Sequence, residues 1–131
     1  NMESPKERFE HEIKLVENAI ESETGEHEIV KYLSPLVNSV AGDFINECVV
    51  KKKVSLKEGD REEFIKSGWT YLHLAIRKYK EHLDSISITD ADISFNFSSY
   101  FTWFIRQGVS EKIQEYFKSS NGTAMSTDYR K

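Results

Sequence analysis

The stretch "FNFSSYFTWFIRQGVSEKI", residues 95–113, decides which fold this chain is expected to adopt. Six of its first ten residues are aromatic, and Arg106 and Gln107 follow them after Ile105. The whole chain contains only six Gly and two Pro, which favours helices over a turn-rich sandwich. The stretch is therefore predicted to lie in a helix that runs from about Ser98 to Phe117.

The predicted helix carries two separate stripes when successive side chains are placed about 100° apart. One stripe is expected to pack into a core: Phe101, Phe104, Ile105, Gly108, Val109, Ile113 and Phe117. The other recurs at spacings of three, four and three residues: Tyr100, Trp103, Gln107 and Ser110. Two interpretations of the second stripe stay open, because its rings could cover the edge of the core or form a platform on which unpaired bases stack.

Two further helices are predicted in the first third of the chain. Residues 4–21 form an amphipathic helix with Ser4 as its N-cap and Pro5 at its first position. A second helix starts near Glu26, and Pro35 either restarts it or bends it. With 131 residues and 38% apolar content, the chain is expected to adopt an all-α fold, a compact bundle of four to five helices.

A third helix is predicted to begin with Asp60 as its N-cap and to continue without a break to Leu83, because apolar residues recur at helical spacing throughout. The segment "DSISITDADIS" that follows is consistent with a loop or a short hairpin. The predicted organisation has three parts: an acidic N-terminal helix in residues 1–25, a helical domain in 26–118 with an inserted loop at 84–96, and a flexible tail in 119–131.

Charge is distributed unevenly along the chain. Residues 1–30 carry nine Glu against three basic residues, so their net charge is −6. The other 101 residues carry 15 basic and 13 acidic side chains, a net charge of +2. The acidity of the whole chain therefore leaves the weakly basic part able to meet an anionic partner.

No residue pattern predicts an enzyme. His11, His27, His73 and His82 lack the spacing of metal ligands or of a catalytic constellation, and no Gly-rich phosphate loop is present, so no catalytic residue, metal or cofactor is predicted. Cys48, the single cysteine, is expected to be a buried thiol. The chain has no apolar run of membrane-spanning length and no signal peptide at its start, so a cytoplasmic protein without membrane contact is expected.

The string "FNFSSYFTWFIRQGV", residues 95–109, resembles the promoter-melting part of the second conserved region of bacterial RNA polymerase sigma factors. That family shows a pattern close to F-S-T-Y-A-x-W-W-I-R-Q-A-I, which is matched without a gap by Phe97, Ser98, Tyr100, Thr102, Trp103, Ile105, Arg106 and Gln107. "EFIKSGWTYLHLAIRKYK", residues 63–80, is similar to the helix that precedes it in the family, and "YLSPLVNSVAGDF", residues 32–44, to the start of the region. The resemblance covers roughly residues 30–117 and implies the fold of the sigma region 2 domain.

The resemblance implies that this domain captures bases flipped from the non-template strand of the minus-ten promoter element. Tyr100 and Trp103 would stack on an unpaired base and trap it, and Phe104 stands where the family usually has a second Trp. Gln107 would reach a base edge, while Arg106 would contact the DNA backbone or hold the helix in place. The implied DNA-binding set is Phe95, Tyr100, Trp103, Phe104, Arg106, Gln107 and Ser110.

The same resemblance implies binding to core RNA polymerase, at the clamp of its largest subunit. The residues that would contact the polymerase are Glu63, Phe64, Lys66, Ser67 and Trp69. Lys66 and Ser67 replace the Gln and Glu that the family usually carries before its Gly, and Glu111 stands where a basic residue is common. A cation and an extra carboxylate thus appear at positions where the family has neither.

Two functions therefore stay open. The first is a sigma region 2 domain that binds core polymerase and single-stranded promoter DNA, and it is favoured by Tyr100, Trp103, Arg106 and Gln107. The second is a sigma-like module for protein interaction, or a transcription regulator, without promoter recognition. An anti-sigma protein is a possible further partner of the first.

Overall fold

The computed structural model of the protein describes residues 4–52, 55–85 and 97–121. These residues contain no strand and form five helices: α1 (Pro5–Glu21), α2 (Glu23–Lys52), α3 (Asp60–Ser67), α4 (Leu72–Ser85) and α5 (Phe97–Asn121). The predicted all-α fold of four to five helices is confirmed. Residues 86–96 of the predicted loop, and 122–131 of the predicted tail, lie outside the described ranges. Within those ranges, every helix falls short of the apolar length that a bilayer crossing needs.

The helices divide into two compact units. The first unit holds α1, the part of α2 up to Pro35, α4, and the start of α5 up to Phe101. The second unit holds α2 from Leu36, α3, and α5 from Thr102. Within the first unit, α1 packs against α4.

The start of α1 follows from its first residues. The Ser4 hydroxyl accepts a hydrogen bond from the Glu7 amide at 3.1 Å, and the Glu7 carboxylate accepts one from the Ser4 amide at 2.9 Å. This reciprocal pair satisfies two amides that a helix start otherwise leaves unbonded, and it confirms Ser4 as the N-cap. Glu17 then pairs with Lys80 of α4 at 3.3 Å.

Helix α2 begins at Glu23, earlier than predicted, and it passes through Pro35 without a restart. The Ser22 hydroxyl accepts a hydrogen bond from the Gly25 amide at 3.0 Å, which supplies the cap that the sequence pattern missed. Buried side chains recur at every fourth position along this helix: Ile29, Leu33, Val37, Ala41 and Ile45. Because the helix turns once per 3.6 residues or so, that spacing rotates the buried face by about 40° at each step. One helix thereby supplies buried residues to both units.

Aromatic rings in edge-on and tilted contacts pack the core of the first unit. Tyr79 of α4 is fully buried, and its ring lies 5.3 Å from Phe97 and 5.8 Å from Phe101. Burial, followed by the nearby Glu12 carboxylate, raises the pKa of the Tyr79 phenol. Glu12 is itself buried and accepts a hydrogen bond from the Tyr32 hydroxyl at 2.7 Å. The buried carboxylate is thus hydrogen-bonded, as burial requires.

The predicted uninterrupted helix over residues 60–83 is wrong, because the chain leaves helical geometry after Ser67 and resumes it at Leu72. The amides of residues 68–70 bond carbonyl groups three positions back, at 2.9, 3.1 and 3.1 Å. The Thr70 hydroxyl also donates to the Ser67 carbonyl at 2.7 Å. Such local bonds compete with the hydrogen bonds of a continuous helix, and the helix breaks here. The apolar residues keep their helical spacing across the break, so the sequence pattern did not reveal it.

The predicted N-cap Asp60 is also corrected. The cap position of α3 belongs to Gly59, whose φ of 92° lies in the left-handed region that favours glycine. Asp60 is the first helical residue, and its carboxylate accepts a hydrogen bond from the Lys57 amide at 2.8 Å. The carboxylate therefore braces the loop that enters the helix instead of capping the helix itself.

The core of the second unit forms from α2, α3 and α5, and its buried residues are Val37, Ala41, Ile45, Cys48, Phe64, Ile105, Val109, Ile113 and Phe117. Cys48 is buried, as predicted. Two glycines sit at close approaches in this unit. A Cβ on Gly68 would lie 3.1 Å from Val37 and 3.2 Å from Ile105, and a Cβ on Gly108 would collide with the carbonyl oxygen of Ser67.

Glycine replacements test the close approach of α5 to Ser67. Gly108→Ala is expected to lower the free energy of unfolding by about 2 kcal/mol or more, because the methyl group meets backbone that cannot rotate away. Gly42→Ala in α2 is the matched control. Among the described residues, no atom outside the helix's own backbone lies within 4 Å of its added methyl group, so it should stabilise the protein by about 0.5–1 kcal/mol. Urea denaturation measures the free energy of unfolding of both variants. Equal changes in the two would contradict the close approach of Gly108 to Ser67.

Candidate nucleic-acid interface

Helix α5 separates the rings of the quoted stretch into buried and exposed ones. Phe97, Phe101 and Phe104 are buried, whereas Trp103 is 61% exposed. All seven residues of the predicted core stripe are buried, which confirms that prediction. Phe95, which was predicted to contact DNA, lies outside the described residues. Phe104, another predicted contact, faces the core.

Tyr100 belongs to the first unit and is half-buried there. Its ring meets the ring of Tyr79 edge-on at 5.2 Å and lies 6.4 Å from the ring of His82. Burial, with a smaller contribution from the Glu81 carboxylate, raises the pKa of the Tyr100 phenol. For this ring, the contacts match the interpretation in which it covers the edge of a core.

Trp103 belongs to the second unit and is differently placed. Its indole meets the ring of Phe104 edge-on, with centroids 4.9 Å apart and planes at 82°. Phe104 is itself buried, so it anchors the indole from the core side. The 61% exposure leaves much of the indole open to solvent, and a planar partner can reach it.

Gln107 lies one helical turn after Trp103 and joins a chain of polar groups. Its side-chain nitrogen donates to Oε2 of Glu111 at 3.2 Å. Oε1 of the same carboxylate accepts a hydrogen bond from the Tyr71 hydroxyl at 2.6 Å. That hydrogen bond is the main cause of a raised pKa of the Tyr71 phenol, because ionisation would place a phenolate against a carboxylate.

Tyr71 and Glu111 were not recognised as partners from the sequence. The spacing of Gln107 and Glu111 on one helix did hold a signal, since residues four apart are neighbours. No sequence signal pointed to Tyr71, because its position depends on the unpredicted break between α3 and α4.

Arg106 and Ser110, two other predicted contacts, have partners within the second unit. The guanidinium carbon of Arg106 lies 5.1 Å from the centroid of the Phe44 ring, a cation–π distance. This contact ties α5 to α2 and agrees with the predicted alternative in which Arg106 holds the helix in place. Ser110 is half-buried, and its hydroxyl accepts a hydrogen bond from the Gln114 amide at 3.4 Å.

The five residues predicted to contact polymerase are divided between surface and interior. Glu63 and Lys66 are exposed on α3. Phe64 is buried in the core, and the half-buried Trp69 packs against that core. Ser67 is half-buried, and its hydroxyl donates to the carbonyl of Phe64. Of the five, only Glu63 and Lys66 are exposed.

Among the described residues, no three His, Cys, Asp or Glu side chains are grouped so as to hold a metal ion. Comparisons with protein-family models, with characterised proteins and with solved structures found no match to this chain. The site is therefore defined by its own residues: the exposed indole of Trp103 and the polar chain Gln107–Glu111–Tyr71.

Replacing Tyr100 or Trp103, the two aromatic residues of the second stripe, by alanine should distinguish a packing role from an exposed one. Tyr100→Ala is expected to lower the free energy of unfolding by about 2 kcal/mol, because it removes a ring that packs against Tyr79. Trp103→Ala is expected to change it by less than about 1 kcal/mol, because most of the indole is already in water. Chemical denaturation followed by circular dichroism measures both. A larger loss for Trp103→Ala than for Tyr100→Ala would show that the indole is structural.

Proposed function

We propose that this chain is a sigma-factor-like transcription initiation domain, which binds core RNA polymerase and the non-template strand of the minus-ten promoter element. The observation that carries the proposal is the 61% exposure of Trp103 on a helix whose three neighbouring phenylalanines are buried. An indole held open to water from a packed helix is suited to stacking with a flat partner. The resemblance of residues 30–117 to the sigma region supports the choice of an unpaired base as that partner.

The energetics of stacking fit such a role. A base stacked on an aromatic side chain contributes roughly 1–3 kcal/mol, with little dependence on which base it is. Gln107 follows Trp103 by one turn, so its amide lies beside a base stacked on the indole and can hydrogen-bond the base edge. Arg106 is held over Phe44, which fixes the helix that presents both groups.

Polymerase binding is proposed for the outer face of α3. Glu63 and Lys66 are its exposed charged groups among the implied contacts, and Phe64 anchors the helix from inside. Polar residues at the rim of an interface chiefly set its register and association rate. Reversing the charge of Lys66 is therefore a direct probe of this face.

A second candidate, a protein-interaction module without promoter recognition, is favoured by charge. The first unit, Asn1–Pro35 with Leu72–Phe101, contains 7 basic and 13 acidic residues, a net charge of −6. The second unit, Leu36–Tyr71 with Thr102–Lys131, contains 11 basic and 9 acidic residues, a net charge of +2. A strongly acidic surface disfavours nucleic acid and suits a basic protein partner, such as one that also binds sigma factors.

Fluorescence anisotropy with a labelled single-stranded oligonucleotide of TATAAT-like sequence tests the stacking role. Wild type should bind, alone or with core polymerase, and Trp103→Ala should weaken binding by at least about 1 kcal/mol, roughly fivefold, through the loss of stacking. Val50→Ala is the matched control, since Val50 is a 75% exposed apolar residue of the same unit on another helix. Equal affinities for all three proteins would move the assignment to the interaction module.

Retention of core polymerase on the immobilised chain tests the second half of the proposal. Lys66→Glu should reduce the retained polymerase severalfold, because a charge reversal at an interface introduces repulsion. Lys112→Glu, a charge reversal on α5 of the same unit, serves as the control. Polymerase that is retained equally by both variants would exclude this face of α3 as the binding surface.

A further inference from the structure

The Glu111 carboxylate determines which way the Gln107 amide points. A carboxylate can only accept hydrogen bonds, so the nitrogen end of the amide must face it, as the 3.2 Å contact from Nε2 to Oε2 requires. The oxygen and nitrogen of an amide lie on opposite sides of its carbon. The carbonyl oxygen of Gln107 therefore points away from Glu111, and one of the two N–H groups is already engaged.

Tyr71 holds the carboxylate in this arrangement. Its hydroxyl donates to the other oxygen of Glu111 at 2.6 Å, a short charge-assisted hydrogen bond. Each carboxylate oxygen thus has a donor: a phenol from the turn between α3 and α4, and an amide from α5. The negative charge also repels phosphate, so the edge of a base is better accommodated beside Gln107 than a backbone oxygen.

We infer that Glu111 is a positioning residue that aims the carbonyl oxygen of Gln107 at a base stacked on Trp103. It thereby selects adenine and cytosine, whose exocyclic amine stands where guanine, thymine and uracil carry a carbonyl group. This inference rests on the proposed function of the Trp103 surface. The oxygen accepts a hydrogen bond from the amine of such a base. Thymine and uracil carry a carbonyl group at the equivalent position. That group cannot donate a hydrogen bond, and its oxygen would face the carbonyl oxygen of Gln107, which is also an acceptor.

Two pairs of oligonucleotides test the exchange of the amine for a carbonyl group, which also converts the neighbouring ring nitrogen from an acceptor into an N–H donor. Deoxycytidine and deoxyuridine have the same ring and differ where one carries an amine and the other a carbonyl. Deoxyadenosine and deoxyinosine differ in the same way on the purine ring. Anisotropy titrations should show wild type binding the amine-bearing member of each pair about fivefold more tightly, the factor expected from one net hydrogen bond.

Glu111→Gln should reduce that preference towards equality, because a glutamine can donate as well as accept and no longer fixes the amide. Glu115→Gln is the matched control, as it removes the same charge from an exposed residue one turn later, where Glu115 pairs with the Lys112 ammonium at 3.5 Å. Both variants lose one negative charge, so both should gain similar affinity for every oligonucleotide. The ratio within each pair is therefore the decisive quantity.

A second readout is independent of DNA. In 15N–1H spectra, the side-chain amide signals of Gln107 should shift in Glu111→Gln and in Tyr71→Phe, and they should stay in place in Glu115→Gln. Unshifted signals in Glu111→Gln overturn the inference, whatever the binding data show.

The binding results separate this inference from the proposed function. Binding that depends on Trp103, but whose ratios are the same in wild type and Glu111→Gln, overturns the inference and leaves the proposed function standing. Binding that is absent, or that survives Trp103→Ala unchanged, overturns both. Preference for the amine-bearing bases that disappears in Glu111→Gln and persists in Glu115→Gln supports both.

Discussion

The close approach of Gly108 to the carbonyl of Ser67 is the constraint on which the second unit depends. Because position 108 has no side chain, α5 can lie directly against the end of α3. The Ser67 carbonyl also accepts from the Thr70 hydroxyl and amide, which hold the tight turn after α3. That turn carries Tyr71 to Glu111, so the polar chain beside Trp103 depends on one missing methyl group.

The long helices α2 and α5 share a second constraint, the spacing of their buried residues. In α5 the buried positions include every fourth residue from Phe97 to Phe117, as they do in α2 from Ile29 to Ile45. A spacing longer than the helical repeat makes a buried face rotate along the helix. Each helix can therefore serve two separate cores, and the residue on the outer side changes along its length. This explains why Tyr100 is half-buried while Trp103, one turn later, is open.

What the sequence could predict depended on how local the cause was. The start of α1 was predictable, because the Ser4–Glu7 capping box needs only neighbouring residues. The core stripe of α5 was predictable from helical periodicity. The break after Ser67 was not, because apolar spacing continues across it and because the Ser67 carbonyl lies against Gly108 of another helix, a contact between residues far apart in the sequence. The Tyr71–Glu111 bond joins residues forty positions apart and follows from that break.

The different environments of the aromatic rings could not be predicted for a related reason. Both stripes of α5 carry large rings, so composition offers no means of deciding which ring meets water. The choice is made by Tyr79, whose buried ring gives Tyr100 a surface to pack on, while the exposed indole of Trp103 meets the ring of Phe104 edge-on. Exposure of an indole is unfavourable for the isolated chain, by about 25 cal/mol for each Å² of apolar surface left in water. Packing of the buried cluster of α2, α3 and α5 offsets the cost of exposing the indole. The Glu111 carboxylate, one turn after Gln107, limits which partners can cover the indole and remove that cost. A phosphate placed there meets a like charge, whereas a flat base can cover the indole and bring its edge to an oriented amide. The charge that makes this surface a poor one for duplex DNA is thus compatible with binding an unpaired base.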